Sequence, residues 1–415
     1  MKVRRILMFH MEDICYNSVN EFANLLAQSF NKMGIEVGFV DASQSEDIVA
    51  DEYIKQIQQG FDAAIAFNAR GEEKVFFEGK NIFESLNVPF FNWVLDHPGE
   101  KLKFINDTIK NYHIICLDRD HVEYVKKYFP NIAGVYFIPI GGQKVQTSKN
   151  ARTLNLSGGE PDKGNIEGFL WEDFSKRKYD VIFTGGCFDR DVIAEDIRNL
   201  PKPLPDISIN LIECMLDDRR ISTEVALRKV LNDMNIMADA ELFKFYMQKI
   251  CSATFYIRAY IREEIIRYLA LSDIRLDLFG GGWDKLGDLG NITYHGQVPY
   301  NESLKLCLDS KISLNVMPLF RNGLHDRIPT AMLCGSAVMT DSSAYIEEIF
   351  DTKNNKEILL YDAACPWLIA DKLTEALSHE DELYEISLRG MKKATEKLSW
   401  DERAKEIIDI IDKSL

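Results

Sequence analysis

The sequence predicts an α/β protein of two domains, each built on a parallel sheet with helices on both faces. Three observations carry this. The chain has 415 residues, more than one ordinary core absorbs and enough for two. Short apolar runs recur through both halves with helix-length amphipathic stretches between them, the pattern of doubly buried strands joined by crossover helices. Hydrophobic residues make up 46% and aromatics 11% of the chain, which fills cores and argues against disorder.

The first strand is Ile6–Phe9. Basic residues precede it, but the run is too short for a signal peptide and ends in His10, Glu12 and Asp13. A helix follows, with Phe22, Leu25, Leu26, Ser29 and Phe30 on one face and Gly34 closing it, glycine being suited to a left-handed cap. Further strands are expected at 37–40, 63–67, 90–95, 113–116 and 135–138. From Gly141 to Lys178 the chain turns polar and loses periodicity, so domain one is placed at 1–150 and a linker at 151–178. The second domain, 179–398, opens on a strand at 180–183. A mostly helical insertion at 206–271 interrupts it, and strands resume at 274–279, 292–295, 312–316, 337–340 and 358–361. The tail from Trp367 is helical, and the last helix, 399–415, is expected to pack back on the first domain.

The formal net charge of -16 disfavours nucleic acid or an anionic membrane surface as partner. No apolar segment reaches membrane-spanning length; the longest, Phe255–Leu271, carries five charges. The eight cysteines are scattered without zinc or redox spacing and read as reduced thiols of a cytoplasmic protein. No metal site is expected.

The most informative stretch is Gly323–Asp341, a polar loop, a short helix opened by Pro329, a glycine and a buried strand closed by Asp341. It sets a helix N-terminus and the side chains of His325, Asp326 and Arg327 at one sheet edge, where open α/β folds hold phosphates. Arg327 suits a diphosphate through its planar fork of donors; a bare exposed Asp-Arg pair is the plain alternative. Phe183-Thr184-Gly185-Gly186 and Phe279-Gly280-Gly281-Gly282-Trp283 each end a strand in glycines. Either turn lets a ligand approach the backbone, with Thr184 and Arg190 as phosphate contacts and Trp283 as a cover; equally, they are tight connections with Trp283 in the core. In the first domain Leu95-Asp96-His97-Pro98 follows a buried strand. Asp96 fits a general base and His97 a donor to a substrate oxygen, against a capping aspartate beside a structural histidine.

Several of these pieces, in this order, resemble the spore-maturation (CgeB-like) type of group-1 glycosyltransferases. They are Phe183-Thr184-Gly185 with Arg190, Leu278–Trp283, Ile292–Tyr300, Ser310–Asn315, Gly323–Asp341 and Ser399–Arg403, spread over residues 178–412. The resemblance implies the GT-B architecture, two Rossmann-like domains with parallel sheets facing a cleft. It implies transfer of a sugar from a nucleoside diphosphate sugar, with a UDP-sugar favoured, to an unidentified acceptor, without a tightly bound cofactor or metal. On it, Arg190, Gly281, Gly282, His325 and Arg327 become nucleotide and diphosphate contacts alongside Thr184, Gly185, Trp283 and Asn315, and Asp96 and His97 face the sugar. Many relatives carry a glutamate where this chain has Thr330, so ribose recognition shifts to Thr330, Asn322, Asp341 or backbone groups. The alternatives are a nucleotide-sugar epimerase or hydrolase, and a catalytically silent sugar- or nucleotide-binding protein.

Overall fold

The computed structural model describes residues 2–12, 15–69, 71, 76–77, 80–106, 108–143 and 171–415. The chain divides into two compact units, one of residues Met1–Gly141 with Trp400–Leu415 and one of residues Gly142–Ser399. Residues 151–170 of the expected linker lie outside the described residues; Trp171–Ser175 forms a helix of the second unit, packed on Tyr384.

The first unit holds a six-stranded parallel sheet of β1 (Arg5–His10), β2 (Glu36–Asp41), β3 (Ala63–Phe67), β6 (Phe90–Val94), β7 (Tyr112–Cys116) and β8 (Gly134–Phe137), in the order β2-β1-β3-β6-β7-β8. A two-stranded hairpin of β4 (Phe76–Phe77) and β5 (Lys80–Asn81) lies outside it. The continuous apolar runs form strands because both faces are covered: every residue of β3, β6 and β7 is buried. The Trp93 indole N–H reaches the Ile138 carbonyl at 3.1 Å. The Trp400–Ser414 helix sets Trp400 against Phe22 and Trp93, with ring centroids 5.6 and 6.0 Å apart. Asp401 accepts from the Ser29 hydroxyl at 2.6 Å.

The second unit holds β9 (Tyr179–Thr184), β10 (Leu276–Phe279), β11 (Ile292–Gly296), β12 (Ser310–Leu314), β13 (Ala337–Thr340) and β14 (Leu359–Leu360), all parallel, in the order β11-β10-β9-β12-β13-β14. The helical insertion resolves into four helices, Leu204–Asp217, Thr223–Asp233, Ala240–Lys249 and Cys251–Ala270, two of which start at side-chain caps, Ser222 and Asp239. Buried Arg177 fastens β12 to the short Arg327–Leu333 helix, donating to the carbonyls of Ser310 at 2.6 Å and Gly335 at 2.9 Å. Among the described residues no helix is long and apolar enough to cross a membrane, and no group of three or more His, Cys, Asp and Glu side chains could hold a metal ion. Cys116, Cys187, Cys214, Cys251, Cys307, Cys334 and Cys365 are free thiols.

Candidate functional site

In a parallel sheet the ligand crevice lies where strand order reverses, outside the carboxyl ends. In the second unit that point falls between β9 and β12, and Thr184 and Asn315 stand there.

The glycine turns beyond β9 and β10 bind each other. Gly185 N–H donates to the Phe279 carbonyl at 2.7 Å and Cys187 N–H to that of Gly281 at 2.9 Å. Gly280 has φ +129°, and a Cβ there would come within 2.5 Å of the Gly185 backbone; at Gly282, φ +86°, it would strike the Cys187 carbonyl. These glycines therefore serve loop-to-loop packing, a correction to their expected role of admitting a ligand. Trp283 is corrected too. It is fully buried, its indole N–H donates to the Gly185 carbonyl at 2.7 Å, and its ring meets Phe183 edge-on at 5.9 Å. It is a pillar beneath the turn, not a cover over a ligand.

Two guanidinium groups converge on this turn. A Cβ added to Gly185 would lie 3.1 Å from Arg327 Nη2, and the Arg327 guanidinium sits 5.9 Å from the Phe183 ring centroid. From the other side comes Arg262, in the middle of the Cys251–Ala270 helix. It is 9% exposed, its Nη1 donates to the Gly186 carbonyl at 2.9 Å, and its Nε is buried without a protein partner. Burial first, then the charges of Arg327 and Arg258, bring its pKa down to about 9. Holding like charges together in a low-dielectric site is costly unless an anion compensates them. Sequence reading missed Arg262 because it is one of five charges in the Phe255–Leu271 stretch of the helical insertion, far along the chain from the turn it meets. The available signal was register: Arg258 and Arg262 continue, four residues on, into buried Ile266.

His325 and Asp326 precede this. His325 Nδ1 lies 2.8 Å from Asp326 Oδ1 and 3.4 Å from the Arg327 backbone N, and burial lowers its pKa. Burial raises Asp326, but the His325 contact and the Arg327 charge outweigh it and leave the carboxyl at about 2. The helix they open has only seven residues, so its terminus adds little and Arg327 itself carries the positive field.

Other expected contacts are turned to structural use. Arg190 is clamped by Glu263 through two bonds of 2.6 and 2.9 Å. Asp341 is buried and accepts from Met317 N–H at 2.8 Å, and burial raises its pKa. Thr330 is buried, and its Oγ1 has no hydrogen-bond partner in the protein. Asn315 Nδ2 donates to Thr340 Oγ1 at 2.9 Å, while its Oδ1 is buried without a protein partner. Asn322 sits half-buried in the loop after β12. Arg190 and Asp341 are thus engaged within the protein, while the hydroxyl of Thr330 is not.

Asp96 and His97 belong to the first unit, apart in sequence and unit from the other twelve. Its strand order reverses between β1 and β3, so the residues at that point are His10 and Asn68; Asp96 and His97 lie one strand further along, past β6. Asp96 pairs with Lys101 at 3.4 Å. His97 Nδ1 accepts from Gly99 N–H at 3.0 Å, which leaves the ring proton on Nε2 as a donor. Burial, then neighbouring His121, push its pKa well down, so it is neutral at pH 7. His10 Nε2 contacts Asn24 Oδ1 at 2.8 Å and its ring stacks on Phe39.

Residues 258–409 match the family model described as glycosyl transferase-like; that segment includes both Arg262 and Arg327. No curated protein matches the chain. Solved structures do. A sucrose-phosphate synthase from Thermosynechococcus elongatus is similar at TM-score 0.53 and 10% identity, over 99% of this chain and 98% of its own. A glycosyltransferase from Rickettsia africae gives 0.51 and 10% over 99% and 98%. Anabaena HepE, solved with UDP and glucose, gives 0.50 and 11% over 99% and 100%. At such identities these likenesses establish the fold: two six-stranded parallel sheets with helices, the GT-B architecture.

Proposed function

We propose that the protein is a glycosyltransferase moving a sugar from a nucleoside diphosphate sugar to an acceptor hydroxyl. The observation that carries the reading is the pair of guanidinium groups, Arg262 and Arg327, meeting at the Gly185-Gly186 end of β9. A diphosphate's negative groups suit such a pair of planar cations, and its charge grows as the glycosidic bond breaks, so the same cations stabilise the leaving group. The glycosyl transferase-like match over 258–409 and the fold support this reading, and UDP in HepE makes UDP-sugars the first donors to test. In the first unit we assign Asp96 as base for the acceptor proton and His97 Nε2–H as a donor to a substrate oxygen; direct attack by the acceptor oxygen as the diphosphate departs would invert the anomeric centre. Membership of the CgeB-like subgroup, independence of metal, and a cytoplasmic location with no nucleic-acid partner complete the proposal.

The test is calorimetry with UDP, GDP and TDP on the wild type and on Arg327→Ala. A nucleotide that binds the wild type and loses about tenfold or more in the variant supports the reading; equal affinity removes Arg327 from the site. Asp96→Asn should keep nucleotide affinity and lose turnover, and wild-type rates would retire Asp96 as base. Thr330, standing where many relatives carry a ribose-binding glutamate, favours one second reading, a nucleotide-binding protein without turnover. Nucleotide binding with no transfer or hydrolysis of any UDP-sugar would decide for it.

A further inference from the structure

The loop that leaves β9 runs beside the Cys251–Ala270 helix and meets it step by step. Arg262 donates to the Gly186 carbonyl at 2.9 Å, the Cys187 thiol reaches the Ala259 carbonyl at 3.8 Å, and the Phe188 ring meets Phe255 edge-on at 5.0 Å. Phe255, Arg258 and Arg262 fall at helical spacing, so the two rings lie roughly 10 Å along the helix axis from Arg262, with Arg258 between. We infer that Arg258 and the Phe188–Phe255 pair bind an amphiphilic anion, a molecule whose apolar chain is joined directly to a phosphate or carboxylate. Such a site needs no transferase activity.

Arg258 is a half-buried cation without a counter-ion. Among the described residues it makes no hydrogen bond and no ion pair, and its guanidinium sits 5.1 Å from the Phe255 ring centroid. The acids nearby are engaged elsewhere. Glu263 is held by Arg190 and Arg267, and Glu264 by Arg219. Asp189 caps the Arg190–Arg198 helix through the Asp191 and Val192 N–H groups and faces Lys285 at 3.7 Å. A ring compensates a cation weakly, and an oxyanion far better; the guanidinium N–H donors that no protein group takes are left for one.

The surroundings say what adjoins that anion. Phe188 is 47% exposed although it packs on Phe255, and Val192, in the first turn of the following helix, is 58% exposed. In a nucleotide a neutral ribose separates the phosphates from the base. Here the cation adjoins the rings, so the matching molecule carries its anion next to its apolar part. One free cation and one small apolar cluster suit a single molecule, since stable attachment to a bilayer takes more than one such signal. The chain's net charge of -16 also opposes an anionic surface.

The test is calorimetry with octyl phosphate, octanoate, octyl glucoside and inorganic phosphate, each below its micellar concentration, with and without saturating UDP, alongside flotation with phosphatidylglycerol vesicles. An anionic amphiphile should bind about tenfold or more tighter than octyl glucoside and than inorganic phosphate, and persist in UDP. Arg258→Met, which keeps an apolar stem beside Phe255, should weaken it by about tenfold. Phe188→Ser, at an exposed position, should weaken it also while the melting temperature stays unchanged. Binding of neither anionic amphiphile, equal affinity for octyl glucoside, unaltered affinity in correctly folded Arg258→Met or Phe188→Ser, or binding to vesicles alone would each overturn the site. Displacement by UDP would overturn it too, making Arg258 a third cation for the diphosphate. Loss of UDP binding, by contrast, would count against the transferase reading and leave this one intact.

Discussion

Both sheets are six-stranded and parallel, but their strand orders reverse at different places, between β1 and β3 in the first and between β9 and β12 in the second, and their carboxyl edges differ in chemistry. Beyond β9 and β10 the second edge presents glycine backbone under the guanidinium groups of Arg262 and Arg327. Beyond β6 the first presents uncharged rings: His97 lies against His121 and Tyr124, with centroids 4.5 and 4.9 Å apart, and burial keeps both histidines neutral. One edge therefore brings two guanidinium groups to a glycine turn, and the other sets neutral imidazoles beside the Asp96–Lys101 pair. Strand order alone says where a ligand sits; the residues brought in by flanking helices say whether it is an anion.

The largest expected effect tests whether the glycines of the second edge belong to packing. Gly282→Ala forces a left-handed backbone and drives a Cβ into the Cys187 carbonyl, and should cost roughly 4 kcal/mol in urea unfolding; a neutral result would return Gly282 to ligand binding. Next comes acid. Burial holds His113 of the first sheet at about 4, and His97 and His121 are lowered in the same direction. The unfolded chain then binds protons first, so this stability is complete above about pH 6.5 and drains as pH falls toward 4, by about 3 kcal/mol for His113. Urea melts at pH 7 and pH 4.5 measure it, and equal stability would show that these rings are charged. Arg262→Met should weaken nucleoside diphosphate binding by about 2 kcal/mol, or roughly thirtyfold, while raising the melting temperature of the ligand-free protein because a like-charge contact is removed. A lowered melting temperature with intact affinity would make Arg262 a mere brace for Gly186. Smallest is Lys101→Ala: its pair with Asp96 is partly exposed, so stability should change by less than about 1 kcal/mol, and altered UDP affinity in calorimetry would erase the contrast between the edges.

The strands were legible because burial on both faces leaves continuous apolar runs; all twelve expected strands are present, shifted by a residue or two at their ends. The β4–β5 hairpin left no trace, since two-residue strands have no period to read. At the candidate site, the place of Arg327 ahead of a short helix was legible. The partners of Arg190 and Trp283 were not, for one reason. Sequence shows that a side chain follows a strand, and not which neighbour claims it, here Glu263 and the Gly185 carbonyl. Arg262 was hidden by the converse: it reaches the turn from 76 residues away, and only the folded helix reveals that its register points inward.

The Trp400–Ser414 helix has a consequence in time. Trp400 seals Trp93 and Phe22, and Asp412 accepts from Val3 N–H, yet Trp400 is synthesised roughly 260 residues after Gly141. At roughly 5–20 residues per second, the first sheet waits on the order of ten to fifty seconds with an aromatic flank uncovered. During that interval the nascent chain is a natural client for a holding chaperone, and a translational pause anywhere in the second unit would lengthen its exposure.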